Sequence, residues 1–243
     1  MRILIISDIH ANLAAFEAVL ADAAGKWDII WCLGDLVGYG PDPNECIALL
    51  RQHEHISLSG NHDWAVLDKI DINSFNRDAS TAITWTQDAL SADNRAYLEA
   101  LPAKLVRDPF TLAHASPRQP VWEYILDIYT AAANFAFFDT TYCLVGHTHV
   151  PILYEEEEEA SAITAYVPVS AETIQLNEAR LIINPGSVGQ PRDADPRAAY
   201  ALLDTDKMTW FYQRVEYPIA TTQERMERHG LPQRLITRLE YGW

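Results

Sequence analysis

The stretch RILIISDIHANLAAFEAVLADAAGKWDIIWCLGD, residues 2–35, holds two apolar runs of strand length on either side of a helix-like segment. Between them, NLAAFEAVLADAAG carries apolar positions at helical spacing and a glycine, Gly25, where a helix would end. Two strands joined by a helical crossover pair in parallel, because the crossover returns the chain to the same end of the sheet. DPNECIALLRQH, residues 42–53, opens with Asp-Pro, a helix-start signal, and leads to a third run, HISLSG. Further apolar runs follow: FTLAHA, YCLVGH, RLIINPG, YALLDT and MTWFYQRVEY. Residues 64–104 read as mostly helical. After residue 150 strands follow one another directly, which predicts a second, largely antiparallel sheet. The expected class is α/β, with two packed mixed β-sheets flanked by helices in a four-layer α/β/β/α sandwich.

The 243 residues are 49% hydrophobic, enough for one large core. No Pro/Gly/Ser-rich linker or repeat divides them, so one domain over 1–243 is expected. No apolar run approaches the roughly 18 residues of a membrane span, and MRILIISD runs straight into a strand without a leader. Cys32, Cys46 and Cys143 lack paired-metal spacing, and their odd number argues against a disulfide framework. Cys32 and Cys143 lie in apolar strands as core residues. A cytoplasmic, reducing setting is expected. The acidic run YEEEEEAS, residues 154–161, reads as a solvated hairpin loop.

The net charge of −16 and pI of 4.7 argue against non-specific nucleic-acid binding, which needs Lys and Arg to neutralise phosphates. An acidic surface also repels anionic substrates unless the site carries its own positive charge, and metal ions would supply it. The polar residues closing the apolar runs fit that need. Asp8 and His10 follow the first, Gly34 and Asp35 the second, and Gly60, Asn61, His62 and Asp63 the third. FTLA delivers His114, and YCLV delivers Gly146, His147 and His149. In open α/β sheets such carboxyl ends converge on one crevice.

Two aspartates, one asparagine and four or five histidines, without cysteine, argue against a structural zinc cluster. They suit two divalent ions in a hydrolytic site, manganese foremost, with iron, zinc, cobalt or nickel as alternatives. Seven ligands exceed the need of one ion and fit two that share a carboxylate, roughly 3.5–4 Å apart. Two such ions, two aspartates and one hydroxide leave a positive pocket for phosphate in an acidic protein. His147 and His149, one residue apart, would face one point if the chain stays extended, or two different ions if it turns. His53, His55 and His229 have no such setting and read as surface or structural.

At these residues the chain resembles the calcineurin-like metallophosphoesterase superfamily, whose five blocks read here DIH, GD, GNHD, HAS and GHTH. The resemblance runs from residue 1 to about 204 and is strongest to the small prokaryotic phosphodiesterase-like group. NPGSVGQPRDADPRAAYALLD, residues 184–204, is similar to that group's tail motif. It implies one ion held by Asp8, His10, Asp35 and His149, and another held by Asp35, Asn61, His114 and His147, with Asp35 bridging and Thr148 turning the chain. A bridging hydroxide would attack phosphorus in line. His62 would act at the leaving oxygen, as general acid or hydrogen-bond donor, with Asp63 as a candidate orienting partner.

The second block departs from the family's protein phosphatases, which continue into an Asp that orients the histidine and an Arg that grips phosphate. Here GDLVGYG puts Gly38 and Tyr39 there, which weakens a protein-phosphatase reading. Arg118 in HASPRQP and Arg192 in GQPRDADP are the replacement candidates. The alternative for Arg192 is an ion pair with Asp193 or Asp195. Tyr39 and Trp64 could stack on a base, with core packing the other fate of Trp64. The expected function is a binuclear-metal-dependent phosphoesterase acting on a small phosphorylated substrate, a phosphodiester or small nucleotide. The alternatives are a dinucleoside-polyphosphate hydrolase or phosphomonoesterase using the same site, or a non-catalytic scaffold or sensor that binds metal and phosphate. Oligomeric state is not legible. The C-terminal QRLITRLEYGW is partly amphipathic and is expected to pack within the chain.

Overall fold

The computed structural model describes residues 1–157 and 162–243. In chain order the strands and α-helices are β1 (Arg2–Ile6), α1 (Leu13–Asp22), β2 (Ile29–Cys32), α2 (Pro43–Leu50), β3 (His55–Ser57), α3 (Asn61–Val66), α4 (Arg77–Ala89), α5 (Ala92–Glu99), β4 (Lys104–Arg107), β5 (Phe110–Ala113), α6 (Ile128–Asn134), β6 (Tyr142–Leu144), β7 (Pro151–Glu157), β8 (Ala162–Tyr166), β9 (Glu172–Gln175), β10 (Arg180–Pro185), β11 (Ala198–Asp204), β12 (Thr209–Val215), α7 (Ile219–Arg228) and α8 (Gln233–Thr237). Among the described residues the strands form two six-stranded sheets, ordered β3-β2-β1-β11-β12-β9 and β4-β5-β6-β10-β7-β8. Both are mixed. In the first, β1, β2 and β3 are parallel and the β1–β11 pair is antiparallel. In the second, β6 runs parallel to both β5 and β10, and β10 is antiparallel to β7.

The opening stretch folds as its pattern dictates. Asn12 caps α1 by accepting from the Ala15 N–H at 3.2 Å, and α1 buries Ala14, Ala15, Phe16 and Val19. Alternation along β1 then builds the layers. Leu4 and Ile6 pack under α1 and α2, whereas Ile3 and Ile5 face the second sheet with Phe110, Leu144 and Ile183. Beyond that sheet, Cys143, Tyr154 and Ile182 pack on Ala131 and Phe135 around α6. The layers are therefore helices, sheet, sheet, helix. A strand buried on both faces shows continuous apolar residues rather than alternation, which is why β1 reads as RILII.

Two expectations are corrected. The strands after residue 150 do not make a separate antiparallel sheet: β9, β11 and β12 complete the first sheet, while β7, β8 and β10 complete the second. Of the loop expected at 154–161, Tyr154–Glu157 belong instead to β7, with Glu157 opposite Ala162 of β8. The remaining residues of that run, 158–161, lie outside the described residues. Among the described residues no helix is long and apolar enough to cross a membrane.

Ile5 is fully buried between the sheets. Ile5→Ala should lower unfolding free energy by about 2–5 kcal/mol, read from a shifted denaturation midpoint at unchanged slope.

Candidate metal centre

The carboxyl ends of β1, β2, β3, β5 and β6 meet at one edge of the sandwich. Asp8 and His10 follow β1, Asp35 follows β2, Asn61 and His62 open α3 just after β3, His114 follows β5, and His147 and His149 follow β6. All eight are buried, none more than 3% exposed. Asp8, His10, Asp35, His147 and His149 have φ between 48° and 65°, a left-handed region that non-glycine residues rarely occupy. The chain is therefore not extended through His147 and His149, and the two rings diverge around Thr148.

Glycines let these loops approach. A Cβ on Gly60 would stand 2.0 Å from Asp35 Oδ1, and one on Gly38 (φ 90°) would stand 2.6 Å from His62 Nδ1. The tail segment at 184–190 ties the loops together. The Ser187 hydroxyl donates to the Asp8 carbonyl at 2.8 Å, and the Asn184 amide donates to the Gly146 carbonyl at 2.7 Å and the Thr148 hydroxyl at 3.0 Å.

Donor atoms gather in three groups: Asp8, His10 and His149; Asp35, His114 and His147; and between them His10, Asp35 and His62, which shares one residue with each of the others. His10 Nε2 lies 3.6 Å from Asp35 Oδ2, and His114 Nε2 lies 3.3 Å from the same oxygen and 3.2 Å from Asn61 Oδ1. Ring tautomers follow from the outer partners. His10 Nδ1 faces the Val37 carbonyl at 3.2 Å, His149 Nδ1 the Gln190 carbonyl at 2.5 Å, and His114 Nδ1 the Leu33 carbonyl at 2.9 Å. A carbonyl only accepts, so each Nδ1 carries the proton and each Nε2 is turned inward. His147 is reversed. Its Nε2 faces the Trp122 carbonyl at 3.3 Å, leaving Nδ1 for the centre.

His10 Nε2 and His149 Nε2 stand 3.1 Å apart. With both Nδ1 positions protonated, two lone pairs point at each other beside the Asp8 carboxylate, whose Oδ1 is 3.3 Å from His149 Nε2. A cation satisfies that arrangement; two neutral imidazoles of this tautomer do not. The donor set of carboxylate, amide oxygen and imidazole suits borderline divalent metals.

Burial, then the Asp35 charge, pushes the Asp8 carboxyl up to about 7. Burial works against charge on Asp35 too, but His114, His62 and His10 hold it well below the usual carboxylate range. For His114 burial disfavours the imidazolium, yet the Asp35 and Asp8 carboxylates raise it to about 9. Burial leaves His10, His147 and His149 well below the usual histidine value.

His62 packs on Tyr39 (ring centroids 4.2 Å apart), His10 (4.9 Å) and Phe75 (5.2 Å), and its buried Nδ1 has no hydrogen-bond partner among the described residues. Asp63 does not serve it. The Asp63 carboxylate accepts from the N–H groups of Gly60 at 2.9 Å, Val37 at 3.2 Å and Leu36 at 3.4 Å, pinning the second and third blocks together. Tyr39 also packs on His10, at 4.6 Å. Arg192 reaches the Tyr39 hydroxyl at 3.3 Å and lies over its ring; Asp193 and Asp195 pair instead with Arg214 and Arg197. Arg118 is paired with Glu123, and Trp64 is half-buried on α3. His53 packs on Trp27, His55 bonds the Tyr97 hydroxyl and His229 packs on Trp85, all outside the donor groups.

Within NPGSVGQ, the sequence alone gives no sign that Asn184, Ser187 and Gln190 are the residues that bond the site loops. Nor does it single out Tyr124, whose ring stacks 3.9 Å from that of His147.

A model of the calcineurin-like phosphoesterase superfamily domain matches residues 1–208. An uncharacterized protein of Methanocaldococcus jannaschii is 37% identical over 247 residues, covering 99% of this chain and 98% of that protein. The crystal structure of a metallophosphoesterase from Sphaerobacter thermophilus superposes with a TM-score of 0.92 at 49% identity, covering 100% of this chain and 99% of that one. A hypothetical protein of Pyrococcus horikoshii superposes at 0.81 with 20% identity, over 100% of this chain and 98% of that one, a likeness of fold.

Because His114 is held up at about 9, the metal-free chain carries a proton there at pH 7.5, and metal loading must displace it. Calorimetric titration with Mn²⁺ in buffers of different ionisation enthalpy should show release of roughly one proton or more. Apparent affinity should rise with pH up to about 9. Gly60→Ala should lower retained metal, measured by elemental analysis after dialysis, because the new Cβ displaces Asp35.

Proposed function

The chain belongs to the calcineurin-like phosphoesterase superfamily, and from that premise we propose that it is a binuclear-metal-dependent phosphoesterase acting on phosphodiesters or small nucleotides. The observation that carries this reading is the pair of donor groups around His10 and around His114, with Asp35 Oδ2 standing 3.6 Å from His10 Nε2 and 3.3 Å from His114 Nε2, and with His10 Nε2 and His149 Nε2 3.1 Å apart. Asp8, His10, Asp35 and His149 would hold one ion; Asp35, Asn61, His114 and His147 would hold the other, with manganese the first candidate. When bound, such a pair lowers the pKa of a water toward neutrality and neutralises charge on the phosphoryl group.

The chain's own residues supply the rest. The carbonyls of Val37, Leu33 and Gln190 and that of Trp122 hold four imidazoles in the tautomer and orientation ligation needs. His62 is 3% exposed at the edge of this cluster. Burial, with Arg192 and His114 nearby, depresses it to about 4 despite Asp35. A ring that is neutral at neutral pH offers one N–H, so of its two expected roles we assign hydrogen-bond donation to the leaving oxygen. Arg192, beside Tyr39, supports the reading that it replaces the phosphate-gripping arginine missing from the second block. Arg118, tied to Glu123, is less suited to that task. The three cysteines are free and buried, consistent with a proposed cytoplasmic setting.

The test is turnover of a generic aryl phosphodiester and monoester by protein loaded with Mn²⁺ at neutral to alkaline pH; inert protein on both refutes the proposal. His62→Ala should cut turnover roughly 10²–10⁴-fold while metal content stays near that of the parent chain. Asp35→Ala should lose metal and activity together, because its carboxylate stands between His10 and His114.

A further inference from the structure

Beside the donor cluster opens a cavity of about 530 Å³. Tyr39 and Tyr124 form its inner wall, the first against His10 and His62, the second stacked on His147. The rest of its character is cationic, from Arg77, Arg192, Arg234 and Arg238 against one acid, Asp78. This is unexpected in a chain of net charge −16.

The pairing of arginines sharpens the point. Of the chain's fourteen, nine sit in ion pairs with Asp or Glu among the described residues. The other five are Arg77, Arg107, Arg192, Arg234 and Arg238, and all but Arg107 line this one cavity. Arg192 Nε is buried with no partner among the described residues. Burial, with Arg192 and Arg234 close by, pushes the Arg238 guanidinium down to about 10. Arg238 Nε donates to the Trp243 carbonyl oxygen, yet four guanidinium groups crowded beside a site with one acid among them mark a place for an anion. Arg77 also opens α4, a 13-residue helix, so the positive end of its dipole faces the same space.

Arg234 and Arg238 come from α8 and the turn after it, beyond residue 208, where the family domain ends. They are one helical turn apart, on the side of the segment opposite its buried face, where Leu235, Ile236 and Leu239 pack against Tyr39 and Met226. The C-terminal segment thus packs within the chain and also carries charge to the rim of the site.

We propose that this cavity is an anion subsite built by the C-terminal segment, and that the substrate is a phosphate ester bearing a second phosphate group, held by Arg234 and Arg238 while the scissile phosphate lies at the donor cluster. This rests on the phosphoesterase reading above and narrows its substrate class to multiply phosphorylated small molecules.

The test compares two chromogenic diesters on Mn²⁺-loaded protein: thymidine 5′-(p-nitrophenyl phosphate) and the same compound with a phosphate on its 3′ oxygen. The second should have a KM lower by roughly tenfold or more, and the ratio of the two KM values should collapse toward one in R234Q and in R238Q. Arg234 is exposed, so R234Q leaves the core intact and keeps the test readable should R238Q fold poorly. Equal KM values in the parent chain, or a ratio that survives both substitutions, overturns the subsite. Calorimetric affinities for the same two compounds make the comparison without turnover. If neither diester is cleaved yet the 3′-phosphorylated one binds tighter through Arg234 and Arg238, the phosphoesterase reading fails and the subsite stands.

Discussion

Five residues at the strand ends, Asp8, His10, Asp35, His147 and His149, adopt left-handed backbone without being glycine. Each costs about 1–2 kcal/mol against ordinary conformations, so together they approach the net stability of a typical domain. That constraint organises the molecule. A left-handed residue sharply reverses the strand that precedes it, which turns side chains inward instead of up and away from the sheet. The strain is held by what surrounds it: two sheets packed through Ile3, Ile5, Leu144 and Ile183, and hydrogen bonds from the 184–190 segment onto the turns themselves. Functional groups held in strained backbone on a rigid frame are pre-set rather than recruited.

The same logic explains what was legible in the sequence. Blocks such as DIH and GHTH can be read because ligand chemistry needs particular residue types, and each block closes an apolar run that announces a strand. The eight apolar runs all became strands, and the interval 64–104 became α3, α4 and α5 with β4 starting at its end. Sheet membership was not legible. Alternation tells which face of a strand is buried but not which strand lies beside it, so β10 and β11, thirteen residues apart, fall in different sheets without any local sign. Asp63 shows the limit at the scale of one residue. Neighbours on a helix point about 100° apart, so the residue after His62 is poorly placed to orient it, and its carboxylate found three backbone N–H groups instead.

The C-terminal segment shows a different limit. Its apolar residues identify a face that packs, and Leu235, Ile236 and Leu239 do pack. Two arginines on the other side of an amphipathic segment read as ordinary solvated charge. Only the fold reveals that this side lines a cavity with Tyr39, Tyr124 and Arg192. Net charge had the same ambiguity. A value of −16 describes the surface as a whole, whereas a ligand responds to the local field, and the local field beside the centre has the opposite sign.

The place of β1 in the first sheet has a consequence for biosynthesis. This strand precedes β2 and β11 in the chain, yet it lies between them in the sheet, and its register pairs Arg2 with Asp204. The loop that carries Asp8 is likewise bonded to Ser187, Val188 and Gly189. The β1–α1–β2 unit can form early and already bonds the Asp8 and His10 N–H groups to the Gly34 and Asp35 carbonyls, but the bonds from Ser187 and Gly189 to the Asp8 carbonyl come only when that distant segment is made. Such long-range closure makes folding slow and late. Until that segment joins the sheet, the loop carrying Asp8 lacks part of the hydrogen bonding that shapes the centre.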